Sequence, residues 1–308
     1  MMSPTPPLTT PPAATAEIRQ VPTAPATLPL LLRAALPAVP GIRLLPGFRH
    51  TATDVPDLVL QRSGVAVDRA HVAAYDWVCG LPLTDALPAT YLHVLAFGQH
   101  LLLMTDPAFP FPAMGLVHVD NTITQHRLLT AAELLDVRVH AAALRPHAKG
   151  TLIDVVSTAW VGNELVWEEV TTLLARGRAE RAVSVDSGVR SLTAPNGPVT
   201  WHLPPDLGRR YAAVSGDSNP IHLYGVTARA FGFPRQIAHG MLTKARCLAA
   251  LQGRLPDAFT VEVAFKKPVL LPGTVRFGTS TDSDGVLTFG VTSKSGDEHL
   301  SGRVTALG

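Results

Sequence analysis

The chain carries eight strand-like runs, rich in Val, Thr, Phe and Trp, that fall into two sets of four. The first set is Leu116 to Ile123, Leu135 to Ala142, Leu152 to Val161 and Leu165 to Leu174, with Gly162-Asn163 as one of its turns. The second is Phe259 to Phe265, Thr274 to Thr281, Val286 to Ser293 and His299 to Ala306, with Asp284-Gly285 as a turn. Ahead of each set lies one stretch of helical apolar spacing. Leu92, Leu95, Ala96 and Leu102 mark the first, with Pro88 near its start, where a missing N–H does no harm. Met241, Leu242, Ala245, Leu248 and Ala249 mark the second. Long strands after one core helix, given twice, predict an α+β protein in which two curved antiparallel sheets each wrap a long helix. Ser, Gly, Pro and Asn cluster between Ala182 and Gly197, so one unit is expected at 29–182 and the other at 183–308. Residues 1–28, rich in Pro, Thr and Ala, read as a disordered tail.

A faint internal repeat supports this duplication. Tyr75-x-x-Val78-Cys79-Gly80 matches Tyr211-x-x-Val214-Ser215-Gly216, and a polar, Pro-containing turn follows each. Counting on from the shared glycine, Asp217 is matched by Leu81 and His222 by Ala86. The first copy thus lacks an acid and an imidazole that the second keeps, and one active site per chain is expected.

Composition narrows the class. The 308 residues are 46% hydrophobic and 16% charged, which suits a globular protein with sizeable cores. A net charge of +2 is too small to imply a nucleic-acid or membrane partner. Cys79 and Cys247 form no metal or redox spacing, which favours a reducing cytoplasm over a disulfide framework. The apolar run Leu28 to Leu36 is short and broken by Pro29 and Arg33, so no membrane span is expected. The first two dozen residues lack the basic start of a secretory signal. Without a Gly-rich phosphate loop or dinucleotide fingerprint, no nucleotide cofactor is expected. His118, His126, His140 and His147 share no ligand spacing, so no metal site is expected.

The stretch Tyr211 to Leu242 carries the candidate chemistry. Asp217 and His222 stand five residues apart across an Asn219-Pro220 turn, and a second break at His239-Gly240 opens the later helix. An acid and an imidazole facing a helix N-terminus are the parts needed to move a proton beside a developing oxyanion. Taken singly, Asp217 and Asn219-Pro220 are also ordinary turn formers, and Gly240 an ordinary helix-end residue. Lys244, Arg246, Arg254, Lys266 and Lys267 form a basic group, suited either to a solvated face or to phosphate.

SGDSNPIH followed by GFPRQIAHGML resembles the signature of the MaoC-like (R)-specific enoyl-thioester hydratases, the hydratase 2 enzymes. Phe265-Lys266-Lys267-Pro268-Val269-Leu270-Leu271-Pro272-Gly273 is similar to that family too. The match is specific from Tyr211 to the C-terminus, while the first half resembles the degenerate leading unit of two-repeat members. The resemblance implies a double hotdog, each long helix wrapped by a sheet, and a cofactor-independent lyase. Such a lyase interconverts (3R)-3-hydroxyacyl and trans-2-enoyl thioesters carried on coenzyme A or acyl carrier protein. By position, Asp217 and His222 fall on the catalytic pair and Gly240 on the oxyanion-hole glycine. Asn219 and Ser215 fall in supporting places of the motif, with Lys244, Arg246, Lys266 and Lys267 as candidate substrate-binding residues. A thioesterase on the same fold and a non-catalytic thioester-binding protein remain alternatives. The halves are expected to pack as an intrachain pseudo-dimer, their sheets continuing into one another, with a homodimer left open. In that arrangement the apolar stretch Leu81 to Leu87 is expected to line space for an acyl chain.

Overall fold

The β-branched and aromatic runs form strands, and their edges decide the architecture. A computed structural model of the chain describes residues 12, 16–35, 52–177 and 189–308. The first half begins with β1 (Glu17–Gln20), α1 (Thr27–Ala35), β2 (Leu58–Val65), α2 (Arg69–Cys79) and α3 (Tyr91–Met104). Four long strands follow: β3 (Leu116–Gln125), β4 (Leu135–His147), β5 (Gly150–Val161) and β6 (Glu164–Arg176). The second half opens with β7 (Val199–Leu203), α4 (Leu207–Ser215), the short helices α5 (Pro220–Leu223) and α6 (Gly225–Ala230), and α7 (Gly240–Ala250). It closes with β8 (Phe259–Phe265), β9 (Gly273–Thr281), β10 (Leu287–Ser293) and β11 (Glu298–Ala306).

Two distinct curved sheets are corrected to one, in which the sheets of the two halves run on into one another as expected. All eleven strands belong to one mixed sheet of order β1-β2-β4-β5-β6-β3-β8-β11-β10-β9-β7. The junction is β3, which pairs with β6 on one side and, over Asp120 to Gln125, with Ala264 to Phe259 of β8 on the other. Left apart, each half would present a bare strand edge of unpaired N–H and C=O groups; joined, the two edges satisfy one another. The stretch read as a tail also contributes structure, because Glu17–Gln20 pairs in parallel with Leu58–Gln61 and α1 begins at Thr27. The unit boundary expected at residues 182–183, and most of residues 1–15, lie outside the described residues.

The helices are placed by burial. Ten of the 14 residues of α3 are buried, so this helix is enclosed on all sides rather than amphipathic. It lies against β4 and β5. The two matched segments end equivalent helices: α2 and α4 pack together, and each stops at a left-handed glycine, Gly80 (φ 75°) or Gly216 (φ 74°). Tyr75 and Tyr211 are both fully buried and their ring centres stand 6.2 Å apart. One apolar cluster runs through both halves, from Leu60 and Trp167 to Phe277 and Val304.

Candidate active site

The turn that carries Asp217 is built by its own side chains. Gly216 takes the left-handed conformation that a residue with a Cβ adopts only with strain, and it ends α4. Ser215 Oγ then accepts from the Asp217 N–H at 3.2 Å, and Asp217 Oδ1 accepts from the Asn219 N–H at 3.2 Å. Asn219 caps α5 by accepting from Ile221 N–H, with Pro220 in the first helical position, where its missing N–H is harmless. Gly208 on α4 lets α5 come close, since a Cβ there would stand 2.1 Å from the His222 carbonyl oxygen.

His222 is buried, and its Nδ1 lies 2.8 Å from the Ile237 carbonyl oxygen. A carbonyl only accepts, so Nδ1 carries the proton and Nε2 keeps the lone pair. Burial pushes this imidazole below its usual value, outweighing the pull of Asp217 in the other direction. A second imidazole, unassigned in the sequence, completes the group. His239 stacks on His222 with ring centres 3.7 Å apart and places Nε2 2.9 Å from the Asp217 carbonyl oxygen. By the same reasoning His239 donates through Nε2, and its Nδ1 is a buried acceptor with no partner. Burial and the neighbouring His222 push His239 down to about 3, so it stays neutral at physiological pH. The ligating atoms of Asp217, His222 and His239 lie within 4.8 Å of one another, and His93, His100 and Glu169 form a second such group. Either set has the donor types for a metal ion.

Gly240 directly follows His239 as the first residue of α7. Its N–H therefore has no acceptor within the helix and points out of the positive end of the helix dipole. Asp217, Asn219, Ser215, His222, His239 and Gly240 all line one cavity of about 320 Å³. Lys266 and Lys267 line it too, paired with Glu298 at 2.6 Å and with Asp297 at 2.5 Å. The cavity continues into the first half along Phe97, Leu101 and Met104 of α3.

Two candidate substrate-binding residues are corrected. Lys244 is fully buried outside the cavity lining, its Nζ donating to Asn121 Oδ1 at 2.5 Å and to the Val261 carbonyl at 3.2 Å. Arg246 lies 5.3 Å from the centre of the Trp201 ring, also away from the cavity lining. For Lys244 the helix face decides: it is three residues after buried Met241 and four before buried Leu248, on the inward stripe of α7. The expectation for Leu81 to Leu87 fails as well. Leu87 belongs to the core and Leu81 packs on it, and neither lines the cavity.

Burial pushes the Lys244 ammonium down to about 7, against the attraction of Glu169 and Glu262. Between about pH 7 and 10.5 the unfolded chain then holds a proton here that the folded chain has lost. Stability withheld by this lysine is largest below pH 7 and is recovered as pH rises toward 10.5. Lys244→Met is expected to gain on the wild type most at low pH, with the two melting temperatures converging as pH rises. A difference independent of pH would remove Lys244 as its source.

A family model described as "MaoC like domain" matches residues 187–297. Over 258 residues, 82% of this chain and 88% of the relative, the sequence is 42% identical to 3-hydroxyacyl-thioester dehydratase X of Mycobacterium tuberculosis. The chain belongs to the MaoC-like family. A crystal structure of that relative, HtdX, superposes with a TM-score of 0.72 at 38% identity, covering 81% of this chain and all of the other. A MaoC-like dehydratase from Phytophthora capsici shares the fold at 17% identity, with a TM-score of 0.64 over 81% of this chain and 95% of its own. Among the described residues no helix is long and apolar enough to cross a membrane.

Proposed function

We propose that the protein is a hydro-lyase interconverting (3R)-3-hydroxyacyl and trans-2-enoyl thioesters. What carries this reading is one juxtaposition: a carboxylate and an imidazole lone pair at the N-terminus of α7, inside a cavity that runs on along apolar side chains. The 42% identity to a protein named a 3-hydroxyacyl-thioester dehydratase supports it. The two halves are read as hotdog units that share one sheet in an intrachain pseudo-dimer.

In the hydration direction, a water held between Asp217 and His222 Nε2 gives up a proton as its oxygen adds to C3 of the enoyl thioester. The C2–C3 π electrons move toward C1, and the thioester oxygen takes on negative charge. Gly240 N–H and the end of α7 meet that charge; by analogy with other oxyanion donors, the N–H supplies about 3 kcal/mol. C2 then takes a proton from the acid that the pair has become, and the (3R)-hydroxyacyl thioester is complete. Dehydration runs the same steps backward. Neutral His239 is a positioning residue, holding the Asp217 backbone by its Nε2 bond and packing flat against His222. Lys267, exposed at the cavity wall, and Lys266 are the groups offered to the phosphates of a pantetheine carrier, whether coenzyme A or acyl carrier protein.

The test is incubation with a crotonyl-to-dodecenoyl coenzyme A series, following loss of enoyl absorbance with chiral analysis of the product. Free acid as the product would replace the lyase by a thioesterase, and binding without turnover would leave a thioester-binding protein. The pH profile offers a second check. Catalysis requires His222 unprotonated, and burial lowers its pKa, so activity should hold below the free-imidazole value of about 6.5 before falling. An acid limb centred above that value would contradict His222 as the base.

A further inference from the structure

The cavity wall supplied by the first half is not uniformly apolar. His93 and His100 of α3, His118 of β3 and Thr171 of β6 all line it, yet none takes part in the hydration steps. Behind them Glu169 is wholly buried and accepts from His93 Nδ1 at 2.9 Å and from Asn121 Nδ2 at 2.8 Å. Asn121 is in turn held by Lys244, and His100 Nε2 stands 2.7 Å from Ser157 Oγ. His118 Nε2 is the exception in this network: it is buried and has no hydrogen-bond partner.

An alkyl chain lying here would leave that nitrogen unpaired, and an apolar residue at position 118 would serve such a chain better. Burial pushes His100 and His118 down to about 3, so both are neutral. Burial alone would raise the Glu169 carboxyl; His93, together with His100 and the Asn121 amide, outweighs it and holds that group at about 2, ionised. Neutral imidazoles in front of a buried carboxylate do not suit an anion, which Glu169 would repel. An uncharged oxygen suits them, because it can accept or donate according to the tautomer it meets.

We propose that this cluster recognises a hydroxyl or ketone oxygen on the acyl chain of the substrate. The proposal rests on the lyase reading and names the class of thioester that the same site prefers. The place of the oxygen follows from Phe265. Its ring centre is 4.8 Å from that of His118, and its Cε1 is 3.0 Å from where a Cβ on Gly240 would stand. One aromatic ring therefore separates the oxyanion glycine from the cluster, while Phe97, Leu101 and Met104 continue the wall along α3. The oxygen belongs at an inner position of the chain, with hydrocarbon beyond it. The competing occupant is a divalent cation on His93, His100 and Glu169. His93 Nδ1 is already committed to Glu169, and the Lys244 ammonium is one residue further back, so the network favours the uncharged ligand.

The test compares a plain trans-2-enoyl coenzyme A with isomers of equal length carrying one hydroxyl, walked carbon by carbon along the chain. One inner isomer is expected to exceed the plain chain about tenfold in kcat/KM, the worth of one good hydrogen bond. The ratio should fall to about one in His118→Leu and be partly kept in His118→Gln, whose amide still donates and accepts. Because both substrates meet the same preparation, the ratio does not depend on how much of a variant is folded. A wild type without preference, a preference untouched in His118→Leu, or stoichiometric zinc lost on His100→Ala would each overturn the proposal. Turnover of the plain chain without preference sinks this inference alone; no turnover of any enoyl thioester sinks the lyase reading with it.

Discussion

Asp217→Asn and His222→Ala are each expected to lower turnover at least a hundredfold while the fold persists. The asparagine can keep the bond that Asp217 Oδ1 accepts from Asn219 N–H, so the turn survives. Its amide cannot take a proton from water, and that is the step removed. His222→Ala takes away the imidazole lone pair, and it also leaves the Ile237 carbonyl without its donor and His239 without its stacking partner. Some loss of stability should therefore accompany the second change and not the first. If the two groups hold one water between them, the double variant should be little worse than the worse single one. Circular dichroism and thermal melts separate unfolding from lost chemistry. Activity within a few-fold of wild type in a folded single variant would remove that residue from the mechanism.

A fragment carrying only the second half, from about residue 180, is expected to be insoluble or to self-associate. Cutting there strips β3 from β8 and leaves the Phe259 to Ala264 edge unpaired. It also takes Asn121 away from Lys244, exposing an interior cation whose partner lies on the other half. Tyr211 loses the ring of Tyr75, and the cavity loses the wall built by α3. An apolar flank and an open strand edge of this kind favour pairing with another chain. Size-exclusion chromatography and an activity assay on the fragment settle the matter; a monodisperse, fully active monomer would falsify the dependence on the first half.

The main strands were legible because runs rich in Val, Thr, Phe and Trp, set between turn residues, are local signals, and all eight expected strands are present within a few residues of their bounds. The Asp217 turn was legible for the same reason, since Ser215, Gly216, Asn219 and Pro220 shape it through neighbours a few residues away. Short elements were lost where the pattern was too brief. β1 is only four residues long, so it read as part of a tail although pairing with β2 places it in the sheet.

By itself, then, the sequence determined a duplicated α+β chain with one polar turn, and the pairing of an acid with an imidazole beside a helix start. Three matters needed the tertiary structure. The first is which strands join the two halves, β3 to β8, because satisfying a strand edge depends on a partner some 140 residues away in the chain. The second is which charges are inside: Lys244 reads as one of a basic group until Asn121 and Glu169 come around it from the other half. The third is His239, whose stacking on His222 depends on the Ile237–Gly240 segment folding back against the Asp217 turn. Spacing along a chain reports contacts within a helical turn or a strand pair. Which buried polar groups meet across the core is set by the packing of distant elements, and no local pattern encodes it.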